Sequence, residues 1–218
     1  MCGRFTLTQE KIVISERFNT PLNDWQPRYN IAPTQLFPVI VMENQQQRID
    51  FMQWGLIPHG SQDKKGGYSL INCRIESVKT KPGFFKLFQR HRCLVPADGF
   101  FEWRKTPEGK IPYRIALKNG RLFAFAGVWD IWQGEKGEEI KSFSILTTEA
   151  NSLLNNLHNR MPIMLKKENE SLWLDSNTSL ETLDEILKPI PAQEITYYPV
   201  SPVVNSWKID NLKCIQPE

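Results

Sequence analysis

The chain has 218 residues, 40% of them hydrophobic, and its 27 basic and 24 acidic residues leave a formal net charge of +3. This composition supports a buried core and excludes a disordered chain. A pI near 8.6 permits nucleic-acid binding but falls short of the strongly basic charge typical of many nucleic-acid-binding domains, so charge alone does not decide the partner. No run approaches 18 apolar residues and the N-terminus lacks a signal-peptide core, so we expect a cytoplasmic protein without a membrane partner.

The chain begins Met1-Cys2-Gly3, and Cys2 is its first chemically distinctive residue. Because Cys2 is small, we expect methionine aminopeptidase to remove Met1. An N-terminal cysteine then carries an amine and a thiol on adjacent carbons, which condense with an aldehyde to a Schiff base and close to a thiazolidine. The α-amine has a reference pKa of about 7.7–8.0, against about 10.4 for lysine, so it is the better nucleophile near neutral pH. The ordinary alternative is a buried free cysteine.

Strand patterns dominate the rest of the chain, because apolar and aromatic residues recur in short runs bounded by turn residues. The predicted strands cover residues 37–42, 48–54, 92–96, 100–103, 113–117, 122–129, 143–147 and 195–200. A polar stretch with three glycines at residues 60–67 predicts an exposed, mobile loop.

Helical patterns are fewer. Residues 149–158 place three leucines at helical spacing, and residues 84–89 predict a short helix. Thr178-Ser179-Leu180-Glu181 has the form of a capping box before a helix that ends at Pro189. Strands scattered among single helices favour an α+β fold. We expect a single domain over residues 1–218, with a mixed, mainly antiparallel sheet that curls into a barrel and is flanked by helices.

The four cysteines are Cys2, Cys73, Cys93 and Cys214, and none forms a C-x-x-C pair. Together with the three histidines they show no zinc-ligand spacing. We therefore expect free thiols, no metal and no cofactor.

Four polar clusters interrupt apolar surroundings, a pattern typical of functional sites. They cover residues 2–4, 72–76, 96–103 and 158–162. Each also has an ordinary interpretation. Glu102 can point to water, and His158 can complement the end of a helix. Asn72 can occupy a turn, and Arg74 can form a surface pair with Glu76.

The clusters fall among seven motifs that run in order through nearly the whole chain. These are MCGRF (1–5), RYNIAPT (28–34), WGLIP (54–58), INCRIES (71–77), RCLVPADGFFEW (92–103), HNRMP (158–162) and YPVS (198–201). Together they resemble the SOS-response-associated peptidase (SRAP) family, the abasic-site DNA–protein crosslink proteins.

The resemblance implies action on abasic sites in single-stranded DNA, whose opened sugar exposes an aldehyde. It implies that Cys2 forms the Schiff base and then the thiazolidine, and that Asn72 positions Cys2 and the sugar. By the same resemblance Glu102 moves protons, and His158 acts as acid or base in opening the deoxyribose. Strand cleavage by β-elimination, an AP-lyase side activity, is expected when ring closure is slow.

The resemblance also implies a set of DNA-binding residues. Arg4, Arg74 and Arg160 match phosphate contacts, Thr147 matches a polar contact with the DNA backbone, Pro33 lies where the strand is wedged, and Trp103 is a further DNA-binding residue. Three to five phosphate contacts predict a salt slope of roughly −2 to −3.5.

Two positions depart from the family pattern. The tryptophan that usually follows the WGLIP motif is replaced by His59-Gly60, and Cys73 stands where the family typically has alanine. A second thiol is therefore expected near the site. It cannot form a thiazolidine, because its nitrogen belongs to a peptide bond.

Two other functions fit the same residues. One is a cysteine peptidase or self-processing enzyme with Cys2 as nucleophile, His158 as base and Asn72 as the orienting group. The other is a non-covalent reader of single-stranded DNA or modified bases, which needs the arginines and aromatics alone. The expected partner is single-stranded DNA containing abasic sites, with replication-fork proteins as further candidates. We expect a monomer that associates with the nucleoid after DNA damage.

Overall fold

The computed structural model describes residues 2–64, 70–135 and 137–218, so Met1 and part of the predicted 60–67 loop lie outside the described residues. The strands are β1 (Phe5–Leu7), β2 (Arg28–Ile31), β3 (Leu36–Glu43), β4 (Gln46–Trp54), β5 (Asn72–Arg74), β6 (Arg92–Ala97), β7 (Gly99–Thr106), β8 (Gly109–Leu117), β9 (Phe123–Gln133), β10 (Glu139–Glu149), β11 (Arg160–Pro162), β12 (Met164–Leu165) and β13 (Ile195–Pro199). The α-helices are α1 (Lys11–Phe18), α2 (Ile75–Thr80), α3 (Pro82–Arg90), α4 (Glu170–Leu174) and α5 (Leu180–Ile186).

Five strands close into a barrel. β3 pairs with β4 and β6, and β9 pairs with β6 and β10, all antiparallel. β10 completes the ring by running parallel to β4. The short strands β5, β11 and β12 extend this sheet from β10 and β9. The prediction of an α+β fold with a mixed, mainly antiparallel and barrel-like sheet is therefore confirmed.

A second, antiparallel sheet packs beside the barrel in the order β13-β8-β7-β1-β2. The chain passes from the barrel to this sheet at Asp98, which lies between β6 and β7. β1 occupies an interior position of the second sheet, with Phe5 opposite Phe100 on β7 and opposite Ile31 on β2. Cys2 therefore lies three residues before a strand that is paired on both sides.

Phe5 joins the second sheet to the barrel. Its ring makes edge contacts with Phe37, Trp54 and Phe125, at centroid distances of 4.8, 4.9 and 6.0 Å. All four side chains are buried, and offset or edge-on aromatic pairs contribute about 0.5–1.5 kcal/mol each beyond the area that they bury. The aromatic cluster thus anchors β1 three residues after Cys2.

Asp98 adds a buried polar anchor to the same strand. Thr6 Oγ1 donates to Asp98 Oδ1 at 2.5 Å, and the Thr8 N–H and hydroxyl donate to Asp98 Oδ2 at 2.5 and 2.7 Å. Arg114 Nη2 completes the group with a 3.0 Å ion pair to Asp98 Oδ1. Buried charges are tolerated when they are paired and hydrogen-bonded in this way. The network locks β1 to the point where the chain changes sheets.

The strand predictions are confirmed, and the helix predictions are confirmed only in part. Residues 84–89 lie within α3, and the helix before Pro189 is α5. Its N-cap is Ser179 and not Thr178, because the Ser179 side chain accepts a hydrogen bond from the Thr182 N–H.

The predicted helix over residues 149–158 is wrong. Glu149 is the last residue of β10 and pairs with Arg160 on β11, so the segment between them is the connection of an antiparallel pair. Within it only Leu154–Asn156 is helical, as a single 3-10 turn that begins with the Leu154 N–H bonded to Asn151 Oδ1. The leucines at helical spacing therefore flank or lie in this single turn, in which Leu154 is buried. His158 is consequently not at the end of an amphipathic helix.

All four cysteines are buried free thiols. Burial raises the thiol pKa of Cys93, which lies in β6 of the barrel. Among the helices within the described ranges, none is long and apolar enough to cross a membrane.

Substituting Gly99 tests the anchor at Asp98. A Cβ at Gly99 would lie 2.7–2.8 Å from the guanidinium of Arg114, which is buried and bound to Asp98 and cannot move aside cheaply. Gly99→Ala is expected to lower the free energy of unfolding by about 1–3 kcal/mol, measured by urea unfolding. Gly83→Ala is the matched control, because nothing lies within 4 Å of its added Cβ and it sits in helix α3. Equal stability of the two variants would contradict the assigned role of Gly99.

Candidate active site

Cys2 lies where the second sheet meets the strand β5. Asn72 is the first residue of β5, and its side-chain Nδ2 donates to the Cys2 carbonyl at 2.7 Å. The Cys2 thiol is fully buried and lies 3.5 Å from the Arg4 carbonyl, to which it donates. β5 is itself fixed by parallel pairing with β10, where Asn72 lies opposite Ile145. Two residues that are 70 positions apart in sequence are thereby brought into contact.

Glu102 faces the same place. It lies on β7 opposite Tyr113 and is buried, so the interpretation that its carboxylate points to water is wrong. The pKa of the Cys2 thiol is raised far above its ordinary value, first because the thiol is desolvated by burial and second because the negative charge of Glu102 is near. In this arrangement the sulfur is held as a neutral thiol beside a carboxylate.

His158 lies on the connection between β10 and β11. The backbone N–H of Arg160 donates to His158 Nδ1 at 3.0 Å. An imidazole nitrogen that accepts a hydrogen bond carries no hydrogen, so the neutral ring has its hydrogen on Nε2. The tautomer of His158 is thus set by its own chain, and Nε2 is the ring atom available to a ligand.

Arg160 is held by Glu76 and by the backbone of β10. Its Nη1 and Nη2 donate to the two carboxylate oxygens of Glu76 at 2.8 and 2.9 Å, and Nη2 also donates to the Thr147 carbonyl at 2.7 Å. The Arg160 hydrogen bonds lower the pKa of Glu76. Glu76 therefore pairs with Arg160, not with Arg74 as the surface-pair interpretation had it. The fork of Arg160 is largely occupied by partners from its own chain.

Arg74 and Thr147 lie opposite each other where β5 and β10 run parallel. Arg74 is exposed, whereas Thr147 is buried and its hydroxyl donates to the Cys73 carbonyl at 3.4 Å. Arg74 borders two cavities. One, of about 190 Å³, is also lined by Asn72 and Cys73, and the other, of about 410 Å³, is also lined by Arg160.

Arg4 is half-buried and bonded to the C-terminal segment. Its Nη1 donates to Asn30 Oδ1 at 2.8 Å and to the Val204 carbonyl at 2.9 Å, and burial lowers its pKa. Trp103 Nε1 donates to Asn205 Oδ1 at 2.7 Å. Residues 204 and 205 thus tie two predicted DNA-binding residues to one segment of chain.

Pro33 is half-buried and lies in the link from β2 to β3. The next residue, Thr34, has a φ of 73°, a left-handed conformation that is strained for a β-branched side chain. Its N–H donates to the Trp54 carbonyl at 2.8 Å, which holds the turn against the end of β4.

The sequence interpretation missed the residues that brace the site. Asn30 lies in the RYNIAPT motif, but only its motif membership distinguished it, and it proves to be a fully buried amide that bonds Arg4. Asp210 gave no signal at all. It accepts hydrogen bonds from the Tyr29 and Asn30 N–H groups at 2.5 and 2.9 Å. Asp210 acts between segments 180 and 181 residues apart. Asn30 also bonds carbonyls of residues 204, 206 and 209, which are 174 to 179 residues away. No local pattern reveals such contacts.

The two departures from the family pattern have different settings. The exposed His59 bonds through its own N–H to Asp130 and through its ring Nδ1 to the Ile131 carbonyl. Cys73 is buried next to Asn72, accepts a 3.2 Å hydrogen bond from Ser144, and has its thiol pKa raised by burial. In the described part of the chain, no three His, Cys, Asp or Glu side chains are grouped as metal ligands.

These features define a class of protein: a mixed five-stranded barrel whose candidate site is built around the second residue, beside an amide, a carboxylate and a group of arginines. The chain belongs to the family described as SOS response associated peptidase (SRAP), whose model matches residues 1–207.

Named relatives span the full chain. The abasic site processing protein YoqW of Bacillus subtilis is 41% identical, with 99% of each chain covered. YedK of Escherichia coli, also named an abasic site processing protein, is 31% identical over all of both chains. The crystal structure of a protein from Bacteroides thetaiotaomicron is similar with a TM-score of 0.89 and 26% identity, covering 100% of both chains.

The Glu76–Arg160 pair has a defined pH dependence. Arg160 holds the folded-state pKa of Glu76 below its unfolded value, which is about 4.3. The stabilisation is therefore present above the unfolded pKa and is lost as the pH falls through the folded pKa. Because the Glu76 side chain is 55% exposed, we expect Glu76→Gln to cost at most about 1 kcal/mol at pH 7.

Urea unfolding at pH 7 and pH 3 measures this contribution. The difference in unfolding free energy between wild type and Glu76→Gln should be smaller at pH 3 than at pH 7, whereas Glu108→Gln, in an exposed turn, should match wild type at both. A gap that is the same at both pH values would show that the carboxylate charge is not the source of the stabilisation.

Proposed function

We propose that this protein processes abasic sites in single-stranded DNA by linking itself covalently to the opened sugar through Cys2. The observation that carries the proposal is the setting of Cys2, whose carbonyl is held by Asn72 and whose thiol lies near the Glu102 carboxylate. The names of the relatives support the same substrate, since YoqW and YedK are both abasic site processing proteins.

The reaction begins at the amine that removal of Met1 exposes. The Cys2 amine adds to the C1′ aldehyde of the opened deoxyribose, and the resulting carbinolamine loses water to give an imine. Loss of water needs a proton delivered to the departing oxygen. The Glu102 carboxylate takes up the proton that the amine loses on addition and delivers it to that oxygen, and its buried position shields the transfer from solvent.

Ring closure then uses the thiol. The sulfur adds to the imine carbon, the S–H proton leaves to a base, and the imine nitrogen gains a proton, so the thiazolidine forms with no oxidant or reductant. Because burial and Glu102 keep the Cys2 pKa high, the sulfur needs a base at the moment of attack. The Glu102 carboxylate, deprotonated in the previous step, is suited to accept that proton.

Asn72 and His158 prepare the reactants. Asn72 holds the Cys2 carbonyl through Nδ2, and its Oδ1 receives no hydrogen bond from the described residues, so this buried acceptor can bind a sugar hydroxyl or the amine. His158 presents Nε2 to the sugar for the opening of the deoxyribose. When closure is slow, the imine permits β-elimination, which gives the AP-lyase side activity.

DNA binding rests on Arg4, Arg74, Pro33, Trp103, Thr147 and Arg160. Arg74 is exposed and can contact a phosphate directly, whereas Arg160 must exchange part of its pairing with Glu76. Thr147 is buried, and it contributes by accepting a hydrogen bond from Arg160 at its carbonyl oxygen.

The biological setting belongs to the same proposal. The protein works as a cytoplasmic monomer on single-stranded DNA that contains abasic sites. It joins the nucleoid after DNA damage, with replication-fork proteins as candidate partners.

The peptidase alternative is less consistent with the thiol. Cysteine peptidases use a thiolate whose pKa is lowered by a neighbouring positive group, whereas burial and a carboxylate raise the pKa of Cys2. The purely non-covalent reader leaves the buried Glu102 beside Cys2 without a function.

A denaturing gel with a single-stranded oligonucleotide carrying one abasic site tests covalent capture. Wild type should give a heat-stable shifted band, and Cys2→Ala should give none. A variant with one glycine inserted between Met1 and Cys2 is the sharper control, because it keeps the thiol but moves the amine to another residue. It should fail to form the thiazolidine.

Intact mass spectrometry confirms loss of Met1 in every sample. Absence of the band from wild type that lacks Met1 would overturn the proposal. A stable band from the glycine-insertion variant would show that the thiol acts without the adjacent amine, as in a peptidase-like mechanism.

Replacing Glu102 separates proton transfer from folding. Glu102→Gln should slow crosslinking by about 10²- to 10⁴-fold, the usual contribution of a positioned acid–base group. It should also lower the Cys2 thiol pKa, because the negative charge beside the sulfur is removed. In Glu102→Gln, crosslinking should therefore be slower, while alkylation of Cys2 should begin at a lower pH than in wild type. Glu108→Gln makes the same charge change in an exposed turn and should alter neither.

A further inference from the structure

Trp207 is an exposed tryptophan close to the candidate site. Its side chain is 56% exposed, whereas Trp25, Trp54, Trp132 and Trp173 are buried. Trp103 and Trp129, which complete the set of seven, are half-buried. Trp207 therefore leaves its indole in water, where the ring is available to a ligand.

Trp207 lies at the tip of a β-turn. The N–H of Ile209 donates to the Ser206 carbonyl at 3.0 Å, so Trp207 and Lys208 are the two central residues of the turn. Such positions usually carry Gly, Pro, Asn, Asp or Ser, because those residues favour turn conformations. Here they carry an exposed aromatic ring next to an exposed positive charge.

The turn is held in place by hydrogen bonds from Asn30. The fully buried Asn30 side chain donates from Nδ2 to the carbonyls of Ser206 and Ile209, at 3.0 and 2.8 Å. These two carbonyls flank the turn on both sides. Asp210, the next residue, accepts from the Tyr29 and Asn30 N–H groups. The ring of Trp207 is therefore presented by a backbone that is already ordered before a ligand arrives.

The same amide connects the turn to the N-terminus. Asn30 Oδ1 accepts a 2.8 Å hydrogen bond from Nη1 of Arg4, which is two residues from Cys2. The Val204 carbonyl bonds to both Arg4 and Asn30. Turn and N-terminus thus keep a fixed spacing through one buried side chain.

We propose that Trp207 and Lys208 form a nucleotide subsite for DNA that flanks the abasic site. The indole stacks on a base and the Lys208 ammonium contacts an adjoining phosphate. Stacking on an indole tolerates any base, which suits a protein whose target is a missing base in any sequence. The inference rests on the proposed function, because it assigns the flanking strand of that same substrate.

Affinity for an undamaged, fluorescein-labelled oligonucleotide tests the subsite without any covalent step. Trp207→Ala should weaken binding between about 5-fold and 150-fold, the range for one stacked base. Trp207→Phe keeps an aromatic face and should recover most of that loss. Leu212→Ala is the matched control, since Leu212 is an equally exposed apolar side chain on the same segment, and it should bind as wild type does.

Two further measurements distinguish a contact with DNA from a structural role. The change in tryptophan emission on DNA binding should be smaller in Trp207→Phe than in wild type. Lys208→Ala should reduce the magnitude of the salt slope by about 0.7, the value for one phosphate on a single strand, whereas Trp207→Ala should leave the slope unchanged.

The outcomes separate this inference from the proposed function. Unchanged affinity of Trp207→Ala, an equal loss in Leu212→Ala, or the same emission change in Trp207→Phe as in wild type would each overturn the subsite. In any of these cases capture of an abasic-site oligonucleotide by wild type on the denaturing gel would leave the proposed function standing. If wild type fails to capture the lesion but Trp207→Ala still loses affinity, the subsite stands and the covalent chemistry fails.

Discussion

The position of Cys2 depends on the attachment of β1 to the rest of the fold. A strand of three residues has little intrinsic stability, so its place is set by side-chain contacts. Phe5 supplies the apolar part through its contacts with Phe37, Trp54 and Phe125. Thr6 and Asp98 supply the polar part, with Arg114 neutralising the buried carboxylate. Because these anchors begin three residues after Cys2, Cys2 itself is held as a buried member of the core.

Several polar groups of the site already have partners from the chain itself. The Cys2 thiol keeps its proton, Glu76 occupies the fork of Arg160, and the carbonyls of the C-terminal segment occupy Arg4. In the proposed function, Arg4 and Arg160 must therefore exchange these partners for a phosphate, whereas the exposed Arg74 can bind one directly.

The strands of the barrel could be predicted from the sequence because each one contains a run of apolar residues. The residues around Cys2 could be singled out because each lies in a recognisable motif. The prediction of a helix over residues 149–158 was wrong because leucines at helical spacing also occur around a single 3-10 turn that connects two strands. The pairing of Glu76 with Arg160 and the bracing by Asn30 and Asp210 were beyond prediction. These contacts join segments that are far apart in the chain, and no pattern within a short window encodes them.

The interior position of β1 also bears on the order of events during synthesis. β1 pairs with β7, whose Phe100 lies opposite Phe5, so the site around residue 2 cannot assemble until about a hundred residues have left the ribosome. At about 5–20 residues per second this takes roughly 5 to 20 s. Cys2 is buried once the chain has folded. The removal of Met1 that the proposed chemistry requires is therefore expected on the nascent chain, before the fold closes around Cys2.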